Sequence, residues 1–426
     1  MTDRSAAVLD VVDSMRDDVI GATGDLVRIP SVGGTDAECD VQQHVADVLA
    51  GDGYDVDHWR LDLDELTNDP DFPGVEVERD EAWGVVGRLP GAAPDEARTL
   101  MLNGHVDVVP TGDADAWHDA PFDATVRSGS MFGRGTCDMK AGLVASIVAA
   151  RAIRQAGIRL RGDLIVASVV GEEDGGLGTF ATLKRGWTAD ACVIGEPTDL
   201  DVIPANAGAL TFRLRIRGLA THAARRTDGV SAIDKFVPVL DALHRLEERR
   251  HADVDPLAAR WERAHPLSIG AVHAGDWASS VPDLLVAEGR LGVAVGEPME
   301  EARRQLEEAV AAVCADDSWL SEHPVEVEWW GGQFASGRLP DDSDLIDVAR
   351  SAHGRATNGS DGIDVYAAPY GSDLRLLTGI GGIPTIQYGP GDVALAHGPL
   401  ERVEIDDVMT AARAMAVMAI DVCGVA

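Results

Sequence analysis

Short apolar runs alternate with helical patterns along the first half of this chain. The apolar runs of strand length are residues 83–88, 99–103, 163–170 and 191–195. Residues 141–157 have the small apolar face of a helix that packs on a sheet, and residues 5–30 also predict a helix. Residues 117–130 predict a loop. Strands that alternate with helices indicate an α/β fold with a mostly parallel sheet.

The pattern changes after about residue 209. Between residues 209 and 330 the predicted order is strand, helix, strand, strand, helix, strand, which matches the ferredoxin-like arrangement. Helices and short strands return after residue 331 and end in a long C-terminal helix. We therefore predict one domain formed by residues 1–208 and 331–426, with a second, α+β domain at 209–330 inserted into it.

The charge balance adds a prediction about the protein's environment. The 426 residues include 72 Asp and Glu against 36 Lys and Arg, a formal net charge of −36, and only three are lysines. The acidic side chains repel one another in dilute buffer, but at molar salt the screening length is about 3 Å and this repulsion largely vanishes. We expect adaptation to high internal salt, because an ordinary acidic surface would not explain the scarcity of lysine. Nucleic acid is not an expected partner, because no basic stripe is present to bind phosphates.

The apolar runs and cysteines bear on location. No uninterrupted apolar run approaches the roughly 20 residues of a membrane span, and the first ten residues resemble an amphipathic helix rather than a signal segment. We therefore expect a cytoplasmic protein with no membrane partner. The five cysteines are scattered and form no Cys-x-x-Cys pair, which argues against a disulfide framework and against a thiolate zinc site.

Histidine and carboxylate side chains follow three of the predicted strands. His105 and Asp107 project from the same face of a strand, as a metal-binding imidazole and the carboxylate that orients it often do. Glu172, Glu173 and Glu196 also stand at predicted strand ends. Ligands gather beyond the carboxyl ends of parallel strands, so these side chains predict one shared site. The alternative for His105 is a buried histidine beside an incidental aspartate.

Adjacent Glu172 and Glu173 could serve two roles, because they cannot both point the same way from an extended backbone. One could bind a metal ion while the other acts as general base toward a water that the metal activates. Two metals need a bridging ligand, for which Asp138 is a candidate. The candidate terminal ligands are His105, Glu173, Glu196 and His397. Imidazoles and carboxylates favour zinc, with cobalt or manganese as substitutes. In a chain with 72 acidic residues, a solvated loop carboxylate is the alternative for each acid.

Five motifs occur in order: Gly104-His105-Val-Asp107-Val-Val-Pro, Gly133-Arg-Gly-x-x-Asp138-Met-Lys140, Gly171-Glu172-Glu173, Gly195-Glu196-Pro-Thr and His397-Gly-Pro. Across essentially the whole chain, they resemble the metallohydrolases that include acetylornithine deacetylase, succinyl-diaminopimelate desuccinylase, aminoacylase and glutamate carboxypeptidase. The resemblance implies a zinc-peptidase-like catalytic domain with two zinc ions. One zinc would be held by His105, Asp138 and Glu196, and the other by Asp138, Glu173 and His397. Asp107 would orient His105, and Glu172 would activate water and then protonate the leaving amine.

The inserted domain resembles the family's lid, which implies a homodimer. His222 matches a lid histidine that in relatives stabilises the oxyanion in the partner's active site; a surface histidine is the alternative. Arg290 matches a lid arginine that binds a substrate carboxylate, with a strand-face ion pair as the alternative. Ser279 stands where relatives usually carry asparagine, and Arg375 lies where relatives place substrate-binding loops.

These features predict a cytoplasmic, homodimeric, zinc-dependent amidohydrolase that removes an acyl group from an N-acyl amino acid or a similar small amide. The acetylornithine deacetylase and desuccinylase branch is the nearest resemblance. A di- or carboxypeptidase on the same site is the alternative enzyme, because the motifs define the chemistry better than the acyl pocket. A non-catalytic protein that binds an amino-acid derivative is the alternative of another class, although it would not need the spare carboxylate of Glu172.

Overall fold

The computed structural model describes residues 2–359 and 362–426. Its α-helices are α1 (Thr2–Ser14), α2 (Arg16–Arg28), α3 (Ala37–Gly51), α4 (Leu63–Thr67), α5 (Ala141–Gln155), α6 (Leu177–Lys184), α7 (Ala232–Arg250), α8 (Met299–Asp316), α9 (Leu345–Ala356), α10 (Leu374–Gly379) and α11 (Ile405–Cys423). Its strands are β1 (Asp55–Arg60), β2 (Trp83–Leu89), β3 (Leu100–His105), β4 (Thr125–Arg127), β5 (Ser130–Phe132), β6 (Leu164–Val169), β7 (Ala191–Ile194), β8 (Val202–Asn206), β9 (Gly208–Arg217), β10 (Leu267–Ala274), β11 (Leu284–Val293), β12 (Glu326–Phe334), β13 (Gly337–Arg338), β14 (Val365–Ala368), β15 (Thr385–Gln387) and β16 (Arg402–Glu404).

The first of two compact units comprises the chain up to Pro204, with Arg338–Tyr366 and Asp373–Ala426. Its main sheet includes, in order, strands β1-β2-β6-β3-β7-β15-β8. The central strands β6, β3, β7 and β15 are parallel to one another, whereas the pairs β1/β2, β2/β6 and β15/β8 are antiparallel. The parallel character predicted from the sequence is therefore found at the centre of a mixed sheet, where the strands are buried on both faces.

Helices α5 and α11 pack against each other beside this sheet. Helix α5 is buried over most of its length, and its small side chains allow neighbouring backbones to approach closely. At its start, a Cβ atom on Gly142 would lie 1.8 Å from the carbonyl oxygen of Gly195, so this position requires glycine. The approach brings the turn before α5 against the end of strand β7.

The second unit comprises Ala205–Gly337 and Ala367–Ser372. Its elements follow one another as β9, α7, β10, β11, α8 and β12, the order predicted from the sequence. The antiparallel sheet has the order β10-β11-β9-β12, which is the ferredoxin-like arrangement. Apolar side chains of α7 and α8 pack on this sheet and form a separate core. The predicted inserted segment, 209–330, lies within this unit.

Two predictions about local structure need correction: a predicted helix is divided into two, and a predicted loop contains a strand. The helix predicted over residues 5–30 is divided at Met15 into α1 and α2, and Asp17 and Asp18 lie in the first turn of the second helix, where the helix dipole favours acids. The loop predicted at 117–130 contains β4, which pairs with β5. Ser128 and Gly129 both have positive φ, 51° and 92°, which is the geometry of a two-residue hairpin turn.

In the described part of the chain, no α-helix has both the length and the apolar character needed to cross a membrane.

Candidate metal centre

Three neighbouring parallel strands bring the predicted site residues to one edge of the main sheet. His105 is the last residue of β3, Glu172 and Glu173 follow β6, and Glu196 follows β7. Strand β3 is hydrogen-bonded to β6 on one side and to β7 on the other. The carboxyl ends of adjacent parallel strands meet at the same edge, so these side chains lie together although they are far apart in the sequence.

Asp138 and His397 reach the same place from two connecting segments. Asp138 lies in the turn that precedes α5, and the close approach of Gly142 to Gly195 holds this turn beside the end of β7. His397 lies in the segment between β15 and β16, with a positive φ of 61°. Its side chain is 52% exposed, whereas the side chain of His105 is 1% exposed.

The carboxylate of Asp138 lies between the two imidazoles. Its Oδ1 is 3.1 Å from Nε2 of His105, and its Oδ2 is 3.4 Å from Nε2 of His397. The Nε2 atom of His397 is also 3.1 Å from Glu173 Oε2, and that of His105 is 4.0 Å from Glu196 Oε2. Asp138 is therefore placed where one carboxylate could contact two metal ions.

Potential ligand atoms form two overlapping groups around His105. One group contains His105, Asp138 and Glu173, and the other contains His105, Glu172 and Glu196; within each group the atoms lie within 4.8 Å of one another. Glu172 thus lies at ligand distance in the second group, although the sequence resemblance assigns it to proton transfer. The donor set of imidazoles and carboxylates fits divalent metal ions.

His105 is oriented by Asp107 in a way that differs in detail from the sequence prediction. The ring Nδ1 is 2.9 Å from the backbone carbonyl oxygen of Asp107 and 3.6 Å from its carboxylate Oδ1. Donation from Nδ1 to the carbonyl directs Nε2 toward Asp138. The other carboxylate oxygen of Asp107, Oδ2, accepts a hydrogen bond from the Glu173 backbone N–H at 3.1 Å. Asp107 therefore contacts both the imidazole and the turn that carries Glu172 and Glu173.

The buried carboxylates lie close enough for their charges to disfavour one another's ionisation. Burial, together with the charges of nearby carboxylates, raises the pKa of Glu172, Glu173 and Glu196 above the usual range. Burial lowers the pKa of His105, but its hydrogen bond to Asp138 and the charges of Asp107 and Glu196 outweigh this and raise it well above the usual value. Hydrogen bonds to Asp138 and Glu173 raise the pKa of His397 to about 10. Such clustered carboxylates create a demand for cations, which metal ions would meet.

Arg375 is the remaining predicted residue in the first unit. Arg375 is buried, and a terminal nitrogen of its guanidinium donates to the Gly175 carbonyl at 2.7 Å. It therefore contacts the backbone of the turn that follows Glu173.

Three predicted residues belong to the second unit and are exposed: His222, Ser279 and Arg290. The backbone N–H of Ala223 donates to the Ser279 carbonyl at 2.9 Å, so the His222 and Ser279 segments lie side by side. The Nδ1 atom of His222 accepts a hydrogen bond from the Ala224 N–H at 3.1 Å, which leaves Nε2 as its outward atom. Arg290 lies on β11 opposite Thr211 and Ser268.

Sequence reasoning missed two sets of buried charges next to the site. In the first, the Arg79 guanidinium donates to the carboxylates of Glu38 and Asp174, and Asp174 directly follows Glu173. In the second, Arg134 donates to the Glu401 carboxylate. Burial raises the pKa of Glu401 to about 7, and the charge of Arg134 opposes that shift. Their positions in the sequence were the available signal: Arg134 lies within a recognised motif, Asp174 directly follows another, and Glu401 follows His397 by four residues.

Comparison with known proteins places these residues in a wider context. The model of peptidase family M20/M25/M40 matches residues 101–421. An N-formyl-4-amino-5-aminomethyl-2-methylpyrimidine deformylase from Halalkalibacterium halodurans is 28% identical over 422 residues, covering 93% of this chain and 92% of the relative. A probable carboxypeptidase from Aspergillus niger is 30% identical over 397 residues, covering 91% and 86%. The solved structure of a dipeptidase from Saccharomyces cerevisiae has a TM-score of 0.77 at 16% identity and covers 98% of both chains.

Proposed function

The chain belongs to peptidase family M20/M25/M40, whose members are metallohydrolases of amide or peptide bonds, and we propose that it removes an acyl group from an N-acyl amino acid or a related small amide. The observation that carries the proposal is the position of Asp138, with its two carboxylate oxygens facing the imidazoles of His105 and His397. The neighbouring Glu172 supplies a buried carboxylate for proton transfer. This combination supports hydrolysis rather than binding alone.

The proposed cofactor is a pair of divalent metal ions. His105, Asp138 and Glu196 would hold one ion, and Asp138, Glu173 and His397 would hold the other. Zinc is the favoured metal because imidazole and carboxylate ligands suit it, with cobalt or manganese as substitutes. When bound, the metals would polarise the scissile carbonyl and lower the pKa of a water molecule.

The protein's own residues would then handle protons and orientation. Glu172 would accept a proton from the attacking water and deliver it to the leaving nitrogen. Asp107 would keep His105 in one tautomer through the 2.9 Å contact between its carbonyl and Nδ1. His222 would donate from its outward nitrogen to the oxygen that becomes negative during the reaction.

Three further residues are proposed to bind substrate. Arg290 and Ser279 are exposed and could contact a carboxylate or an amide. Arg375 is buried and bonded to Gly175, so any contribution from it would include support of the Glu172 turn. Replacing Arg290 by Ala should raise KM for acidic substrates more than for neutral ones.

The substrate class is proposed from relatives that differ in their named activities. The deformylase relative supports removal of a small acyl group from an amine. The probable carboxypeptidase, at slightly higher identity, supports peptide hydrolysis as the alternative. The deciding experiment assays N-acetylornithine, N-succinyl-diaminopimelate, N-formyl amines and dipeptides with the metal-loaded enzyme. A preference for dipeptides would favour the peptidase alternative, and inactivity on the whole panel with metal bound would favour a non-catalytic binding protein.

We also propose a homodimer formed through the second unit, in a cytoplasm of high salt concentration. Strand β10 is an edge of its sheet, and edge strands with apolar neighbours are common association surfaces. The exposed apolar side chains in this unit include Ile233 and Val237 of α7, Val272 of β10 and Trp277. The net charge of −36 and the scarcity of lysine support the salt proposal.

A further inference from the structure

The Glu401 carboxylate is buried and bonded to the loop that leads to Asp138. Its Oε1 accepts backbone N–H groups from Gly135 at 2.7 Å, Cys137 at 3.2 Å and Asp138 at 3.3 Å. Its Oε2 accepts from the Arg134 guanidinium. Only 1% of Glu401 is exposed, so these contacts replace the water that the charge would otherwise have.

The backbone of Glu401 belongs to the segment that carries His397. The N–H of Glu401 donates to the Gly398 carbonyl at 3.3 Å, and its carbonyl accepts from the Gly133 N–H at 3.1 Å. His397 Nε2 lies 3.4 Å from Asp138 Oδ2. One residue therefore connects the segment that presents His397 with the loop that presents Asp138.

A role in stability alone does not account well for this arrangement. The desolvation of a buried carboxylate and guanidinium consumes much of their mutual attraction, so an apolar replacement is often as stable. What an apolar residue cannot reproduce is the simultaneous acceptance of three N–H groups, because those donors have fixed directions. The distinctive consequence of the contacts is the geometry of the loop that holds Asp138.

We infer that Glu401, supported by Arg134, is a positioning residue that fixes the spacing between Asp138 and His397 and so sets the affinity of the metal ion they share. The inference rests on the proposed function, because it takes these two residues as metal ligands. Replacing a residue that orients a metal ligand without binding the metal itself typically lowers metal affinity by about 10–100-fold. The second proposed ion, held by His105 and Glu196, depends on the loop only through Asp138 and should be affected less.

The test replaces Glu401 by glutamine in the full chain. A glutamine has one oxygen, so it can accept from the loop N–H groups or from Arg134 but not from both, and its NH₂ group opposes whichever donor remains. Metal-free protein is titrated with Zn²⁺ and, for its visible spectrum, with Co²⁺. We expect one ion to bind about 10–100-fold more weakly and the other to change less. Saturating Zn²⁺ should restore kcat with KM unchanged, which a general loss of folding would not permit.

Glu404→Gln is the matched control, because it lies three residues later and its carboxylate accepts from the Ser130 hydroxyl at 2.7 Å instead. It should bind both ions as the wild type does. Unchanged affinity for both ions in folded Glu401→Gln, or equal weakening of both, overturns the inference. If that variant fails to fold, Arg134→Gln replaces it and should weaken the same ion; unchanged affinity there also overturns the inference. A wild-type protein that binds no pair of ions would refute the proposed function itself, whereas the variants address this inference alone.

Discussion

Replacing Glu172 by glutamine tests the proposed chemistry, because it keeps the shape of the side chain and removes its capacity to accept a proton. Glu172 is 8% exposed, so bulk water is poorly placed to substitute for it. A positioned general base typically contributes about 10²–10⁴-fold, which corresponds to roughly 3–5 kcal/mol of activation free energy. We expect kcat to fall by a factor in that range while the protein still binds two metal ions.

The same substitution should stabilise the metal-free protein at neutral pH. Burial and the charge of Glu196 raise the pKa of Glu172 well above the usual value. The native state therefore binds this proton more tightly than the unfolded state, and wild-type stability falls as the pH rises above the ordinary carboxyl range. Glutamine is uncharged throughout, so the advantage of the variant grows with pH. We therefore expect the free energy of unfolding of the metal-free variant to exceed that of the wild type at pH 8 and to differ little from it near pH 4.

The assays are steady-state kinetics on the preferred amide, metal content by mass spectrometry, and urea unfolding in chelator at several pH values. Glu65→Gln, an exposed residue of α4, is the control and should change none of these. Activity within threefold of the wild type would refute the role of Glu172 as base. Loss of a metal ion together with activity would show that Glu172 is a ligand, as its distance from His105 and Glu196 also permits. A metal-free variant less stable than the wild type at pH 8 would refute the electrostatic reasoning.

Three other predictions concern metal binding, salt and assembly. His397→Ala should fold normally, because the side chain is 52% exposed, and should retain one of the two Zn²⁺ ions. Asp138→Asn should weaken the binding of both ions. Tight binding of two ions by either variant would contradict the ligand assignment. The midpoint temperature of thermal unfolding should rise between 0.1 and 2 M KCl, because the screening length falls from about 10 Å to below about 3 Å. Equal stability at the two salt concentrations would contradict salt adaptation. Val237→Asp, at a side chain 54% exposed on α7, should produce monomers by light scattering, whereas Val126→Asp in the first unit, 45% exposed, should not; an unchanged dimer would exclude this surface of α7.

The strand-end residues were the part of the site that the sequence pattern located without a family resemblance. His105 ends one buried strand, Glu172 and Glu196 follow two others, and buried parallel strands have recognisable apolar runs. The alternation of side chains along a strand also predicted that His105 and Asp107 lie on the same face. It did not predict which atom of Asp107 contacts the imidazole of His105. The closest contact is with the backbone carbonyl, at 2.9 Å, whereas the carboxylate Oδ1 is 3.6 Å from the same nitrogen.

The connecting segments required motif knowledge, because their positions depend on contacts between residues distant in the sequence. Asp138 reaches the site because Gly142 allows α5 to touch Gly195, and no local pattern around Asp138 contains that information. The hairpin at β4 and β5 is a different case. Ser128-Gly129 was a readable turn signal, but the strands beside it have three residues each, which is too short for alternation to be distinguished from a loop.

Buried charges were the least predictable feature, because hydropathy places arginine and glutamate at the surface. Arg375, a proposed substrate-binding residue, is buried, and its guanidinium donates to the Gly175 carbonyl, 200 residues earlier in the chain. Arg79 and Arg134 likewise bond to carboxylates beside the Glu172 turn and the Asp138 loop. A charge can be buried at acceptable cost only where a fixed partner satisfies it. Each of these arginines therefore rigidifies a segment that carries a candidate ligand or base, which is a requirement of a preorganised metal site.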